Sequence, residues 1–385
     1  MQKRLFGKTG LELSILGFGC MRLPVINPSD PCTINYDLAT TLVRKAIDQG
    51  VNYLDTAWNY HGKDRVHPGE SEVFVGLALK DGYREKVNLA TKLPTWVLES
   101  QKQMNDILDG QLKRLGTTHI DFYLAHNLNS LVWPKVRELG LLRFFDEALK
   151  DGRIKQAGFS FHDHYTLFED ILSSYQWSLA QIQYNYLDVD YQAGQRGVKL
   201  AHSRGVGLTV MEPLRGGFLI NHMPDEMKSI LANVRPEWSL ADWGLRWVWH
   251  HPEVGVVLSG MNAMDQVTEN LVIASSAKPL DEKEMAALAQ VRELFRQRLK
   301  VNCTACGYCM PCSEGVNIPR NLGFYNDYYL VDADEVRLRT KYLFAGQVPS
   351  HETFRNCVHC CQCEEKCPQG IDISDRMEAM GEIFG

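Results

Sequence analysis

Apolar residues over the first 280 positions alternate between short continuous runs and longer stretches with a helical period. The short runs are typical of buried strands, and the intervening stretches are typical of amphipathic helices. Parallel strands need a crossover connection, usually a helix, so this alternation predicts an α/β fold with a parallel sheet. The predicted strands are residues 13–19, 52–56, 87–92, 120–126, 154–160, 179–184, 206–211 and 254–260.

The number of strands distinguishes two α/β folds. Eight strands close a (β/α)8 TIM barrel, which usually has about 250 residues. The alternative, an open doubly wound sheet, is favoured by a Gly-rich dinucleotide turn after the first strand. Gly17 and Gly19 lie there, but no third glycine opens a helix, so we expect the barrel. The first residues predict a hairpin with its turn near Lys8 to Gly10, which we expect to plug the barrel floor.

The composition changes after residue 280. Of the eleven cysteines, nine follow residue 300. We therefore predict a barrel over 1–280, a connecting helix over 281–300, and a separate cysteine-rich domain over 301–385. The net charge of −6 and the absence of a basic patch exclude nucleic acid and anionic membrane as partners. Neither a long apolar run nor a signal-peptide pattern occurs, so we expect a cytoplasmic protein.

The late cysteines form two runs that repeat one another. The second run has the CxxCxxCxxxCP spacing of bacterial ferredoxins, and the first is one residue shorter before its last cysteine. In two-cluster ferredoxins the fourth cysteine of each run binds the other cluster. A zinc site is the alternative, because paired CxxC sequences also bind zinc. Cys361 is spare. We predict that residues 301–385 form a small, mainly α-helical, ferredoxin-like iron–sulfur domain. It would hold two [4Fe-4S] clusters, one bound by Cys303, Cys306, Cys309 and Cys367, the other by Cys357, Cys360, Cys363 and Cys312.

Polar side chains end three consecutive predicted strands. Asp55, Lys92 and His126 occupy these positions, and Tyr60 follows on the loop after Asp55. The reactive groups of a TIM barrel come from this end of its strands, so we expect the four to converge. An ammonium lowers the pKa of a neighbouring phenol, which is ordinarily near ~10. The set suits proton delivery to a carbonyl oxygen while a hydride reaches the carbon.

Six segments, in matching order and spacing, resemble the aldo-keto reductase family over about residues 1–280. The resemblance implies a TIM barrel, a nicotinamide cofactor across its mouth, and reduction of an aldehyde or ketone or oxidation of the alcohol. It makes Asp55, Tyr60, Lys92 and His126 the catalytic tetrad, with Tyr60 as proton donor. The segments are DTAWNY (55–60), ATK (90–92), YLAHN (123–127), GRIKQAGFS (152–160), QYN (183–185) and VLSGMNAMDQVTEN (257–270).

The same resemblance implies a set of cofactor contacts. At the carboxamide end of the nicotinamide it implies Ser160 and Gln183, with Asn185 beside them. Along the adenosine side it implies Gly260, Asn262, Gln266, Glu269 and Asn270, with the phosphate near a helix N-terminus. The remaining expected contacts with NADP or NAD are Gly19, Cys20, Met21, Asp55 and Met211.

Three positions depart from the family pattern. Met211 replaces an aromatic residue that stacks on the nicotinamide. No Lys or Arg lies between Arg246 and Lys278, where many members bind the 2′-phosphate, so the choice between NADPH and NADH stays open. His61 replaces the glycine that commonly follows the catalytic tyrosine, and we expect its loop to shape the substrate pocket.

The two halves of the chain transfer electrons differently. A nicotinamide moves two electrons together as hydride, whereas an iron–sulfur cluster moves one at a time. Our expectation is a reductase of a small carbonyl whose clusters couple it to a ferredoxin-like electron partner. The alternatives are a reductase with purely structural clusters and an electron-transfer protein with a catalytically silent barrel. Retention of all four tetrad positions argues against the silent barrel.

Overall fold

The structure is a computed structural model that describes residues 1–27, 30–64, 66–221, 223–303, 309–330, 337, 340–341, 344–345, 348–367 and 369–385. Its contacts divide the chain into two compact units. The first unit comprises residues 1–219 and 238–281, and the second comprises residues 220–237 and 282–385. Within the described residues, every strand lies in the first unit.

The first unit is a closed barrel of eight parallel strands, which confirms the predicted TIM barrel. Each strand pairs with the next along the chain, and the last pairs with the first, Val257 opposite Leu16. Most residues of these strands are buried, because both faces of each strand are covered. The strands are β3 (Leu16–Gly19), β4 (Tyr53–Asp55), β5 (Asn88–Pro94), β6 (Ile120–Leu128), β7 (Ile154–Phe161), β8 (Leu179–Gln183), β9 (Gly207–Met211) and β10 (Val256–Ser259).

Among the described helices, most of those between barrel strands turn an apolar stripe inward. In Leu141–Lys150, for example, the buried residues Leu141, Phe144, Phe145 and Ala148 recur at helical spacing. The helices are α1 (Tyr36–Asp48), α2 (Ser71–Ala78), α3 (Gln101–Leu115), α4 (Trp133–Glu138), α5 (Leu141–Lys150), α6 (Tyr165–Ser174), α7 (Gly194–Ser203), α8 (Phe218–Asn221), α9 (Asp225–Ala232), α10 (Leu240–His250), α11 (Met264–Ser275), α12 (Glu282–Arg298), α13 (Ile318–Leu330), α14 (Gln362–Glu365) and α15 (Ile373–Phe384).

An N-terminal hairpin fills one end of the barrel. Its strands β1 (Lys3–Leu5) and β2 (Glu12–Ser14) are antiparallel, so the predicted strand over 13–19 is divided between the hairpin and β3. Phe6 is fully buried in the core formed by the inward side chains of the barrel strands. Gly207 makes room for it, because a Cβ there would lie 2.3 Å from the phenyl ring.

The second unit has its own hydrophobic core. The described helices α12, α13 and α15 contribute to this unit, and α12 covers most of the predicted connecting helix. Asn326 ties the start of the cysteine-rich region to α13, because its side chain accepts from Val301 N–H at 3.0 Å and donates to Val301 O at 2.7 Å. The core residues are Val301, Val316, Ile318, Leu322, Tyr325, Phe344, Val348, Phe354, Ile373, Met377, Met380, Ile383 and Phe384.

Candidate functional site

A buried ammonium joins the carboxyl ends of β4 and β5. Lys92 Nζ donates to Asp55 Oδ1 at 2.5 Å, to the Thr56 carbonyl at 2.8 Å and to Tyr60 Oη at 3.1 Å. Asp55 and Lys92 are 2% and 1% exposed. Three of the four residues predicted as catalytic therefore share one hydrogen-bonded group.

His126, the fourth predicted catalytic residue, lies on the next strand. Its ring centroid is 6.0 Å from that of Tyr60 and 5.1 Å from that of Trp96. The Thr95 hydroxyl donates to the His126 carbonyl at 2.5 Å and so joins the ends of β5 and β6. The four side chains thus gather at the carboxyl end of the barrel, where the fold keeps its reactive groups.

Burial governs the protonation of this group. Burial lowers the pKa of Lys92, but Asp55 and Tyr60 together raise it above its ordinary value. Burial also raises the pKa of Tyr60, and Lys92 offsets that rise only in part. Sequence analysis anticipated the effect of the lysine but not the larger effect of burial. The phenol therefore keeps its proton at neutral pH, as a proton donor must.

A second buried network supports Lys92 from outside the barrel. Glu72, on α2, accepts from Thr91 Oγ1 at 2.6 Å, from Gln111 Nε2 at 2.5 Å and from Arg114 Nη2 at 2.7 Å. Gln111 Nε2 also lies 3.1 Å from the Lys92 carbonyl, to which it donates. α2, α3 and β5 are thereby fixed to one another behind the catalytic lysine.

Two of the predicted nicotinamide contacts lie at the ends of β7 and β8, and Asn185 follows β8. Ser160 Oγ accepts from the Asn127 N–H at 2.8 Å. Gln183 Nε2 and Asn185 Nδ2 donate to Asp188 Oδ2 at 2.9 Å and 3.0 Å. Asp188 is buried and was missed by sequence analysis, because nothing in its local pattern shows that two amides converge on it.

Gln181 was also not predicted from the sequence, although its side chain contacts Asp55 of the tetrad, whereas that of Gln183 contacts Asp188. It precedes Gln183 by two residues on β8, so both side chains are on the same face of the strand. Its Nε2 is 3.4 Å from Asp55 Oδ2, and its Oε1 is buried without a hydrogen-bond partner among the described residues. A buried acceptor left unpaired costs roughly 1–3 kcal/mol. This atom fits the N–H of a nicotinamide carboxamide, so the residues present suit that cofactor.

The other predicted nicotinamide contacts lie in or next to the strands that carry Asp55 and Gln183. Gly19 pairs with Asp55, and Met211 pairs with Gln183, so both end strands next to proposed site residues. Cys20 is fully buried, and burial raises the pKa of its thiol. Met21 is 55% exposed.

The predicted adenosine contacts follow β10. Asn270 is buried and donates to Ser259 Oγ at 3.0 Å. Gln266 Oε1 accepts from the Asn262 N–H at 2.9 Å, and both residues are exposed, as are Gly260 and Glu269. Asn270 therefore orients the end of β10. Gly260, Asn262 and Gln266 lie before or in the first turn of α11, and Glu269 lies about one turn later.

Arg22 supplies a cation beside these residues. Its Nη1 donates to the Gly216 carbonyl at 2.7 Å, and its Nη2 lies 3.7 Å from Glu212. A Cβ at Gly260 would lie 3.4 Å from Arg22 Cβ. The sequence pattern gives no sign of this position. Arg22 follows β3, and it lies near the end of β10 only because β10 pairs with β3 in the closed barrel.

The cysteines of the second predicted ligand set line one pocket. Cys312 lines it with Cys357, Cys360 and Cys363, together with Cys309 and the spare Cys361. In the first predicted set, Cys306 lies outside the described residues. Cys303, Cys309 and Cys367 pack against one core, and Asn302 Nδ2 donates to Gln369 Oε1 at 3.2 Å, which joins the beginning of the first run to the end of the second.

Zinc and iron–sulfur clusters require different arrangements of thiols. Zinc draws four ligands to one ion, at about 2.3 Å for sulfur. Within the part of the chain that the structure describes, no three His, Cys, Asp or Glu side chains form such a single-ion group. A cluster spreads its thiolates over several irons. Burial raises the pKa of Cys357, and that of Cys363 to about 11, so both thiols keep their protons at neutral pH unless a bound metal displaces them.

Two family models match the chain. The model of the aldo/keto reductase family matches residues 16–293, and that of a 4Fe-4S dicluster domain matches residues 302–371. An uncharacterized oxidoreductase, YqkF of Bacillus subtilis, is 25% identical over 75% of the chain and 95% of its own length. The probable aldo-keto reductase 1 of Glycine max is 25% identical over 75% of the chain and 86% of its own length.

Solved structures resemble the chain over about three quarters of its length. The holo form of the aldo-keto reductase AKR11C1 from Bacillus halodurans matches with a TM-score of 0.62 and 26% identity, over 76% of this chain and 96% of that one. The thermostable aldo-keto reductase Tm1743, in complex with the inhibitor epalrestat, matches with a TM-score of 0.61 and 27% identity, over 76% and 100%. Among the described helices, none has the length and apolar character needed to span a bilayer.

Proposed function

The chain belongs to the aldo/keto reductase family, and we propose that it reduces an aldehyde or ketone with Tyr60 as the general acid. The observation that carries this proposal is the Lys92 ammonium, which contacts Asp55 and Tyr60 together. An ammonium has only donors, so the phenol oxygen must accept from it. The phenolic O–H is then directed away from the lysine, toward the barrel mouth.

The proposed reaction divides hydride and proton between two sources. A reduced nicotinamide, when bound, supplies the hydride to the carbonyl carbon. Tyr60 gives its proton to the carbonyl oxygen, which yields the alcohol and leaves a phenolate. Lys92 stabilises that phenolate, Asp55 keeps the lysine charged, and His126 orients the carbonyl oxygen. A proton from solvent then restores the phenol, and alcohol oxidation follows the same steps in reverse.

We infer that the nucleotide lies across the residues that follow β3, β7, β8 and β10. Ser160 and Gln181 would hold the carboxamide, and Asn262 and Gln266 would hold the adenosine side. The second unit would hold two [4Fe-4S] clusters with the ligand sets given above, and a ferredoxin-like protein would be their electron partner. Reduced thiols and iron suit a cytoplasmic setting.

A structural role for the clusters is the second candidate, and one observation favours it. Six of the described cysteines of the two runs pack against the core of the second unit, Cys303, Cys312 and Cys363 among them. Clusters at these positions would brace that core as metal sites brace other small domains. Loss of a cluster would then affect folding before it affected electron transfer.

The substitution Tyr60→Phe tests the proposed acid. We expect kcat for aldehyde reduction to fall by roughly 10²–10⁴-fold, because the phenolic proton is lost while the ring remains. Binding of NADPH or NADH, followed by nucleotide fluorescence, should be unchanged. Tyr83→Phe is the matched control, because Tyr83 donates to Asp48 at the surface. Turnover of Tyr60→Phe at the rate of the unmodified enzyme would contradict the proposal.

A further inference from the structure

His61 follows Tyr60 in a backbone conformation that favours glycine. Its φ is 58°, in the left-handed region, yet its side chain is buried. Nδ1 lies 2.7 Å from the Pro31 carbonyl, and Nε2 accepts from the Leu23 N–H at 3.1 Å. A carbonyl only accepts and an amide N–H only donates, so Nδ1 carries the proton and Nε2 carries none. A single neutral tautomer satisfies both neighbours.

The imidazole joins two loops at the barrel mouth. Leu23 follows the turn Cys20–Arg22 at the end of β3, where part of the nucleotide site is proposed. Tyr60 and His61 belong to the loop after β4, which is anchored by its own backbone. The Ser71 N–H donates to the Tyr60 carbonyl at 3.2 Å. The backbone therefore fixes the β4 loop to α2, while the His61 side chain fixes the β3 loop to the β4 loop.

We propose that His61 is a positioning residue whose neutral imidazole sets the spacing between the loop that carries the proton donor and the loop beside the nucleotide. This inference rests on the proposed carbonyl reduction. Glycine would adopt this backbone without strain, but it would leave the buried Leu23 N–H and the Pro31 carbonyl unbridged. The side chain, not the backbone, therefore explains why a histidine stands here. Its neutral form is maintained by burial, which lowers the pKa of His61.

Three substitutions separate the side chain from the backbone. His61→Leu removes both hydrogen bonds, His61→Gly removes them but relieves the backbone, and His61→Gln retains one donor and one acceptor. With 4-nitrobenzaldehyde as the carbonyl probe, we expect kcat of the leucine and glycine variants to fall roughly 10- to 100-fold, because small displacements of reacting groups have effects of this size. KM for the aldehyde should be unchanged, and the primary isotope effect with deuterated NADPH should increase. The glutamine variant should recover most of kcat.

Two outcomes of these kinetic measurements would contradict the proposed role of His61. A leucine variant with the kcat of the unmodified enzyme, or a glutamine variant no better than leucine, would overturn the proposal. The melting temperature of each variant is measured alongside, and kinetics are recorded well below it, so that loss of folded protein does not enter kcat.

Amide hydrogen exchange tests the bridge without turnover. The Leu23 N–H should exchange at least ~10-fold faster in His61→Leu, because its acceptor is gone. Asn35 is the internal control, since its N–H donates to the Pro24 carbonyl within the same loop and should not change. Unchanged Leu23 exchange would overturn the proposal. If the unmodified enzyme reduced no aldehyde while Leu23 behaved as expected, the proposed reaction would fail and the bridge would stand.

Discussion

Lys92 keeps its charge inside the barrel because every donor of its ammonium has an acceptor. The three N–H groups match the Asp55 carboxylate, the Thr56 carbonyl and the Tyr60 phenol. Burial alone would favour the neutral amine, and the carboxylate reverses that preference. The lysine is therefore held in one place and one protonation state, and it can stabilise a phenolate as soon as Tyr60 loses its proton.

Carbonyl reduction and alcohol oxidation should depend differently on pH, because they need opposite protonation states of Tyr60. Burial raises the pKa of Tyr60 above its ordinary value near ~10, with Lys92 opposing it. Reduction needs the protonated phenol, so its single-turnover rate should be flat across neutral pH and fall only in strong alkali. Alcohol oxidation needs the phenolate, so its rate should rise with pH over the same range. Stopped-flow measurement of nucleotide absorbance gives both rates.

A reduction rate that fell between pH 6 and 8, in step with an increase in the oxidation rate, would mean that a group of lower pKa supplies the proton. Lys92→Met provides the internal comparison. Its loss removes the ammonium that opposes the rise in the pKa of Tyr60, so the alkaline limb of reduction should move to still higher pH. A shift to lower pH would contradict the assigned role of the lysine.

At the scale of elements, the strand pattern predicted the barrel and the convergence of the tetrad. Period and length identify a buried strand, and topology brings the carboxyl ends of strands together, so Asp55, Lys92 and His126 followed from the sequence. The positions of Gln181 and Arg22 could not be predicted from the sequence in this way. Choosing between Gln181 and Gln183 requires knowing which side chain Asp188 already engages. Arg22 acquires its neighbours only through closure of the barrel, which no local pattern records.

The Glu72 network should contribute to the stability of the same elements. Glu72→Gln removes the charge that binds Arg114 across α2 and α3, and the Arg114 side chain is only 23% exposed. Loss of one partner from a buried ion pair typically costs about 3 kcal/mol. We therefore expect a decrease of this size in the free energy of unfolding, measured by urea denaturation with the m-value unchanged.

An exposed ion pair on α3 gives the matched control. Lys102 contacts Asp106 at 2.7 Å, with side chains 83% and 60% exposed. Asp106→Asn should change the free energy of unfolding by no more than about 0.5 kcal/mol. Equal effects of the two substitutions would mean that Glu72 acts as an ordinary surface charge and does not support β5.

At the scale of the whole molecule, the two units are suited to different kinds of electron transfer. The barrel presents groups for a two-electron transfer, whereas the cysteine runs match a domain whose clusters each carry one electron. Two clusters that each transfer one electron can together transfer the two electrons of one hydride. This equality supports electron exchange with a one-electron partner, whereas the packing of the cysteines against a core supports bracing. One cysteine, Cys312, bears on both possibilities.

Cys312→Ser should remove the second cluster and spare the first. Cys312 belongs to the first run, but it lines the pocket that holds Cys357, Cys360 and Cys363. The crossed assignment therefore predicts that iron and acid-labile sulfide fall by half, from about eight to about four atoms of each per chain. Cys361→Ser is the control and should keep the full content, because Cys361 is the spare thiol. Analysis is anaerobic, with the clusters also followed by electron paramagnetic resonance.

The same variant decides what the second cluster does. If it carries electrons, Cys312→Ser should keep aldehyde reduction by NADPH but should take up only about half as many electrons from a one-electron donor such as reduced methyl viologen, because only the first cluster remains. If it braces the second unit, exposure of that core should lower the melting temperature of the variant well below that of Cys361→Ser. Full iron content in Cys312→Ser would refute the crossed ligand set itself, and the ligands of the second cluster would then need a different assignment among the six cysteines that line the pocket.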